Sequence, residues 1–366
     1  MTRLSQQYKD VSFLSWAKPT TGTPDHINQA AIEAIKANKT AGYSASSGLL
    51  PLREAIVEKL KTKNKIKAST DEIIVTIGAV EALTAAIMAV VNPGDEVIIP
   101  IPAYSTHMRQ VEMAGGVNTL IPTKEHDHFK PDIKAMEAAI TDKTKAIFYS
   151  SPNNPTGAVY SKADTEAIAR MAIENDLIVI TDEAYEYFNY DGNEHYSIAA
   201  FEGMRDRTIS VFTFTKTYAM TGWRVGYLHA DKALTEHITK MHIPMAICAP
   251  VASQYAALEA LQASQSCIED FKSHYLSARN LMCQRLDNLP HIFDYQKPLG
   301  AYLMFPKVKL PEAQDSLRFA KKMLDDIQVS TTPGVAFKGE GHLRLSFCVP
   351  EDMINQAFDR METYFR

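Results

Sequence analysis

Through its first two thirds the chain alternates short, unbroken apolar runs with amphipathic stretches. Residues 73–77 (IIVTI), 96–99 (EVII), 146–149 (AIFY), 177–180 (LIVI), 209–212 (ISVF) and 225–228 (VGYL) have the character of strands buried on both faces. Stretches 80–91 and 161–175 have helical spacing and the length of crossover helices. This alternation predicts an open, mostly parallel α/β sheet with ligand sites at the C-terminal ends of its strands. Beyond residue 232 the pattern turns to long helices, 232–263 and 266–288, the first interrupted near Pro244 and Pro250. Residues 291–366 read as mixed: AYLMF, a helix over 314–327, HLRLSF and a closing helix over 350–366. Thr23-Pro24-Asp25 predicts a helix start, with the threonine as cap and Pro24 in the first helical position. The expected organisation is a large domain, 41–279, and a small α+β domain built from both chain ends, 1–40 and 280–366.

Composition narrows the function rather than the fold. The 366 residues carry 38 Lys and Arg against 43 Asp and Glu, a formal charge of −5. Neither nucleic acid nor an anionic membrane is an expected partner of such a balance. The first residues, MTRLSQQYKDVSFLSW, have neither a signal-peptide layout nor an apolar run long enough to span a bilayer, so a cytoplasmic protein is expected. Cys248, Cys267, Cys283 and Cys348 lie far apart with no CxxC pair, which argues against a disulfide framework or a zinc site.

The stretch with most chemistry is Thr213-Phe-Thr-Lys216-Thr-Tyr-Ala-Met-Thr-Gly222-Trp-Arg224-Val-Gly226. A lysine follows a buried strand, hydroxyl residues flank it, and an arginine stands eight positions on. Alone, the tripeptide around Lys216 is no more than a surface loop. It is accompanied, in order, by Tyr43-Ser-Ala-Ser-Ser-Gly48, by Thr76-Ile-Gly78-Ala79-Val80 at a strand-to-helix turn, and by Pro102-Ala-Tyr104. Then come Ser151-Pro-Asn-Asn154-Pro155-Thr156-Gly157, Asp182-Glu-Ala-Tyr185 and His342-Leu-Arg344-Leu-Ser346. A helix N-terminus after Gly78 suits a phosphate dianion. A carboxylate at the end of a buried strand, as at Asp182, calls for a cationic partner. Arginine pairs a carboxylate in bidentate fashion, which lysine does not.

Taken together these segments resemble the class I/II pyridoxal-phosphate-dependent aminotransferases of fold type I, the aspartate aminotransferase superfamily, over nearly the whole chain. The resemblance implies a large domain with a mostly parallel seven-stranded sheet between helices, and a cytoplasmic homodimer. It implies that Lys216 holds pyridoxal 5′-phosphate covalently and that Asp182 keeps the pyridine nitrogen protonated. Tyr185 and Asn154 would meet the cofactor's O3′ and Tyr104 would stack on its ring. The phosphate would be held by Gly78, Ala79, Val80, Thr213 and Arg224, with Tyr43 supplied by a second subunit. Arg344, Asn154, Trp16 and Ala17 would meet the substrate. The expected reaction moves the amino group of an L-amino acid to a 2-oxo acid by a ping-pong cycle.

Several positions depart from the family pattern. Threonines 213 and 215 replace serines, and Ala17 replaces a glycine near the substrate carboxylate. Val80 stands where one subgroup places a lysine for a distal carboxylate, which favours a neutral or aromatic donor over aspartate. Trp16, Tyr104 and His107 are expected pocket walls. The loop 334–341 is compact, and only 13 residues precede Leu14, which suggests a reduced or differently built lid. The same scaffold carries lyases and synthases; Tyr185, three after the aspartate, argues for transamination, whereas Ala17 leaves a synthase open. A cofactor-sensing transcription regulator would need a DNA-binding segment ahead of the fold, for which 13 residues are too few.

Overall fold

The computed structural model describes residues 2–366. Seven strands form the main sheet: β1 Ile73–Thr76, β2 Glu96–Ile101, β3 Val117–Pro122, β4 Thr144–Ser150, β5 Ile178–Asp182, β6 Thr208–Thr213 and β7 Gly226–Ala230. Their order is β1-β7-β6-β5-β4-β2-β3. Strand β7 runs antiparallel to both its neighbours, and all other pairings are parallel. The fold is therefore the fold type I architecture, α/β with a seven-stranded, mostly parallel sheet between helices.

Six of the strands are the six apolar runs. The seventh, β3, has no such signature, because it closes one end of the sheet and only Ile121 along it is buried. A strand covered on one side reads VNTLIP, with polar residues among apolar ones, and the search for unbroken runs passes over it.

The helices used below are α1 Asp25–Lys36, α2 Leu50–Lys59, α3 Gly78–Val90, α4 Ser105–Met113, α5 Phe214–Thr217, α6 Lys232–Ala246 and α7 Val251–Gln262. The interruption predicted near Pro244 and Pro250 separates α6 from α7, and Pro250 caps the second. Helix α2, absent from the sequence reading, has almost no amphipathic bias, burying only Leu52 and Ile56. The predicted cap of α1 is corrected. Pro24 occupies the N-cap position without a side-chain bond, while the Thr23 hydroxyl donates to the Ala219 carbonyl at 2.9 Å, tethering the helix start to the loop after Lys216.

The two chain ends meet. Ser12–Phe13 pairs in parallel with Val329–Ser330, and the three short strands β8 Leu303–Met304, β9 Thr332–Pro333 and β10 Leu343–Ser346 form an antiparallel sheet in the order β8-β10-β9. One buried cluster joins Leu14, Phe319, Val329, Leu345 and Phe358. Helix α1 packs elsewhere, with Ile27 and Ala31 in the cluster that holds Val75 and Phe212 of the main sheet. Among the described residues no helix is long and apolar enough to cross a membrane.

Candidate active site

Ligands collect where parallel strands end, and strand register places two of the expected residues, Asp182 and Thr213, there. Ser150, the last residue of β4, pairs with Asp182, the last of β5. Gly226 at the start of β7 pairs with Thr76 at the end of β1 and with Thr213 at the end of β6. A Cβ on Gly226 would come within 2.8 Å of the Phe212 carbonyl oxygen and 3.0 Å of the Ala79 nitrogen. Glycine there lets the start of α3 close against the strand that leads to Lys216.

A cavity of about 360 Å³ opens at this edge, lined by Ala17, Ala79, Val80, Tyr104, Asn154, Asp182, Tyr185, Thr213, Lys216, Arg224 and Arg344 among others. Three expected residues lie outside its walls. Gly78 sits behind, at the first turn of α3. Tyr43 stands 81 % exposed on the outer surface. Trp16 stacks on Phe13 at 4.3 Å with the Lys18 ammonium 4.3 Å over its ring, so its indole braces the segment that presents Ala17 instead of facing the cavity.

Lys216 is half-buried on the single turn α5, whose first free N–H, that of Thr215, is capped by the Thr213 hydroxyl at 3.2 Å. Its amine donates to the Ala17 carbonyl at 2.7 Å. Burial, helped by the nearby Arg344 and Arg224 charges and opposed by Cys348 and Asp182, pushes the amine down to about 8. Asp182 accepts from the Ala184 amide at 3.1 Å with one oxygen and meets His107 Nε2 at 3.0 Å with the other. His107 is wholly buried against Phe148, with ring centroids 4.3 Å apart, and edge-on to Tyr104 at 5.4 Å. It is not merely the wall expected from sequence; its i,i+3 relation to Tyr104 across the start of α4 was the available signal. Burial raises the Tyr185 phenol.

Two guanidinium groups remain open to anions. Arg224 bonds the Thr221 carbonyl at 3.3 Å, and among the described residues no carboxylate pairs with it. It lies so close to the N-terminus of α3 that a Cβ on Gly78, whose φ is +75°, would fall 2.8 Å from its terminal nitrogen. Helix N–H groups and an unpaired guanidinium together make a phosphate cradle. Arg344 is buried; its fork donates to Asn154 Oδ1 at 3.1 Å and to the Ser15 carbonyl at 2.8 Å, and its Nε is buried without a partner. Ser150 and Thr221 also line the cavity and were not singled out by the sequence, and Thr215, noted there only as a replaced serine, lines it too.

A helix-start anion cradle, a lysine of lowered pKa, and a carboxylate aimed from a strand end fit pyridoxal 5′-phosphate, and with this sheet they define a pyridoxal-phosphate-dependent transferase. Residues 10–361 match the family model described as aminotransferase class I and II. The chain is 41% identical over 365 residues to an aspartate aminotransferase of Pyrococcus abyssi, covering 98% of this chain and 92% of that one. It is 38% identical over 366 residues to aromatic-amino-acid aminotransferase 2 of Thermococcus litoralis, with the same coverage. The crystal structure of an aromatic aminotransferase from Pyrococcus horikoshii superposes with a TM-score of 0.93 at 39% identity, over 100% of this chain and 98% of that one. The chain belongs to the class I and II aminotransferases, enzymes that use pyridoxal phosphate to move an amino group between an amino acid and a 2-oxo acid.

Proposed function

We propose that this aminotransferase takes a neutral or aromatic L-amino acid as donor and passes the amino group to a 2-oxo acid by a ping-pong cycle. The observation that carries the donor class is the cation inventory of the cavity. Its cationic side chains are Lys216, Arg224 and Arg344. Lys216 is the reacting amine, Arg224 faces the phosphate cradle and Arg344 takes the α-carboxylate, so among the described residues that line the cavity no cation remains for an acidic side chain. Val80, 42 % exposed at the rim, and Tyr104 offer apolar surface in its stead. The aromatic-amino-acid specificity named for the Thermococcus and Pyrococcus horikoshii relatives supports the same class.

In this reading Arg344 grips the donor's α-carboxylate as a fork, with Asn154 fixing its plane. Bound pyridoxal phosphate supplies an electron sink for the electrons left on the donor's Cα. Lys216 would take the proton from that carbon; an amine whose pKa burial pushes down to about 8 is a competent base near neutral pH. Asp182, steadied by His107 at 3.0 Å, would face the pyridine nitrogen. Tyr185 and Asn154 would meet O3′, and Thr213 with Ala79 and Val80 would complete the cradle behind Arg224.

Tyr43 joins the site only in a homodimer, across the interface, and its exposure in the single chain supports that assembly. The domain division belongs to the same proposal: a large unit, 41–279, and a small one from 1–40 and 280–366. The packing of α1 on the sheet side argues for moving the first boundary ahead of residue 25. A cytoplasmic setting agrees with four free cysteines.

The test is a kcat/KM panel of phenylalanine, tyrosine, leucine, aspartate and glutamate against several 2-oxo acids. Phenylalanine or leucine is expected to exceed aspartate at least tenfold. Aspartate leading by tenfold would overturn the donor class while leaving transamination intact.

A further inference from the structure

We propose that Tyr302 is a positioning residue for Lys216, acting through the carbonyl of Ala17; the inference rests on Lys216 being the reacting amine. Two side chains converge on that one oxygen. The Lys216 amine donates to it at 2.7 Å and the Tyr302 hydroxyl at 3.2 Å. A carbonyl oxygen has two lone pairs, and here both are taken.

Tyr302 is held firmly in place, and its hydroxyl also faces the Tyr185 phenol. It is wholly buried, edge-on to Tyr185 with centroids 5.0 Å apart and at 88°, and packed on Tyr275 at 5.3 Å and Phe188 at 6.1 Å. Its main chain is pinned on one side by the Phe347 amide, which donates to its carbonyl at 3.0 Å. The Lys216 amine lies 5.7 Å from the Tyr302 ring centroid and equally far from that of Tyr185. The phenol is thus a rigid post beside the amine.

What it holds is a segment that the main sheet does not. Residues 12–14 are bonded to Gln328 and Ser330 and to Ser346 of the terminal unit, and to no strand of the seven. The Ala17 carbonyl lies just past this segment, between the Ser15 carbonyl held by Arg344 at 2.8 Å and the Lys18 carbonyl held by the Cys348 thiol at 3.1 Å. On that tethered stretch the Tyr302 hydroxyl holds the Ala17 oxygen itself at 3.2 Å, and with it the resting place of the amine. It also shares the oxygen's electron density. Without the hydroxyl the carbonyl serves the amine alone, and a hydrogen-bond acceptor favours the charged form.

The experiment compares wild-type and Tyr302→Phe holoenzyme, with kcat, KM, the pH profile of kcat, the pH midpoint of the cofactor's visible absorbance, and thermal unfolding. In Tyr302→Phe, kcat is expected to fall about 5- to 10-fold with KM within twofold, the size of one lost hydrogen bond. The acid limb of kcat moves up by about 0.5 pH unit, because the amine holds its proton longer. Tyr302→Leu, which also removes the ring, adds a loss of thermal stability to the same pH shift. A Phe variant with wild-type kcat and an unmoved acid limb, whatever its stability, would overturn the proposal by showing that the ring only packs. Full turnover in Lys216→Ala would instead remove the premise, and the two failures are told apart by which variant shows them.

Discussion

Replacing Lys216 with methionine makes a quantitative test of the buried amine. The folded chain releases the lysine proton near pH 8, the unfolded chain near 10.5. At about 1.4 kcal/mol for each pH unit, holding the charged amine in its buried place costs the folded apoprotein about 3 kcal/mol below pH 8, where both states carry the proton. Between pH 8 and 10.5 the folded chain is neutral while the unfolded chain still binds a proton, so wild-type stability climbs with pH until the cost is gone. Methionine has nearly the same length and no charge. The Ala17 carbonyl, deprived of the lysine, keeps the Tyr302 hydroxyl at 3.2 Å, so no buried acceptor is orphaned to cancel the gain. Urea unfolding of the two cofactor-free proteins should therefore find Lys216→Met more stable by about 3 kcal/mol at pH 7, shrinking to about 1 kcal/mol at pH 9.5. Equal stabilities at both pH values, or a less stable variant at pH 7, would refute the burial argument and with it the lowered pKa on which the base role depends.

The other expectations concern binding and rate. Uptake of pyridoxal phosphate by the apoenzyme, followed by absorbance, should accelerate about tenfold per pH unit up to about pH 8 and level off above it, because only the free amine reacts. Gly78→Ala places a methyl 2.8 Å from the Arg224 guanidinium at a φ of +75°; the cofactor Kd should rise roughly tenfold, measured by fluorescence titration. Arg344→Lys loses the fork that bridges Asn154 and the Ser15 carbonyl; KM for amino acids should rise by about 10- to 100-fold with a smaller change in kcat. Asp182→Asn removes the charge held by His107 at 3.0 Å and should lower kcat by at least about 100-fold in a steady-state assay.

Periodicity and order along the chain were enough for six strands of the sheet, the break between α6 and α7, and the singling out of Lys216, Asp182, Asn154, Arg344 and Arg224, which the fold brings to one cavity. These are local properties: a strand buried on both faces must be apolar throughout, and Lys216 and Asp182 stand at or just past the ends of two such strands. The edge strand β3 escaped because one-sided burial leaves a mixed pattern. The His107 contact to Asp182 escaped because it joins α4 to β5, 75 positions apart. Tyr302 read as part of an ordinary core strand; only the fold brings its hydroxyl to a carbonyl 285 positions away.

Trp16 shows the converse. Its place beside Ala17 in sequence suggested a pocket wall, yet the side chain turns onto Phe13. By itself, then, the sequence was enough for the class of enzyme, through the resemblance that its motifs carry in their order along the chain. Tertiary structure alone decided which side chains face the amine, because the two chain ends close over the sheet through contacts more than 300 residues apart, such as the Ser15 and Ser330 hydroxyls at 2.9 Å. No pattern along the chain encodes the direction a side chain takes once such ends meet.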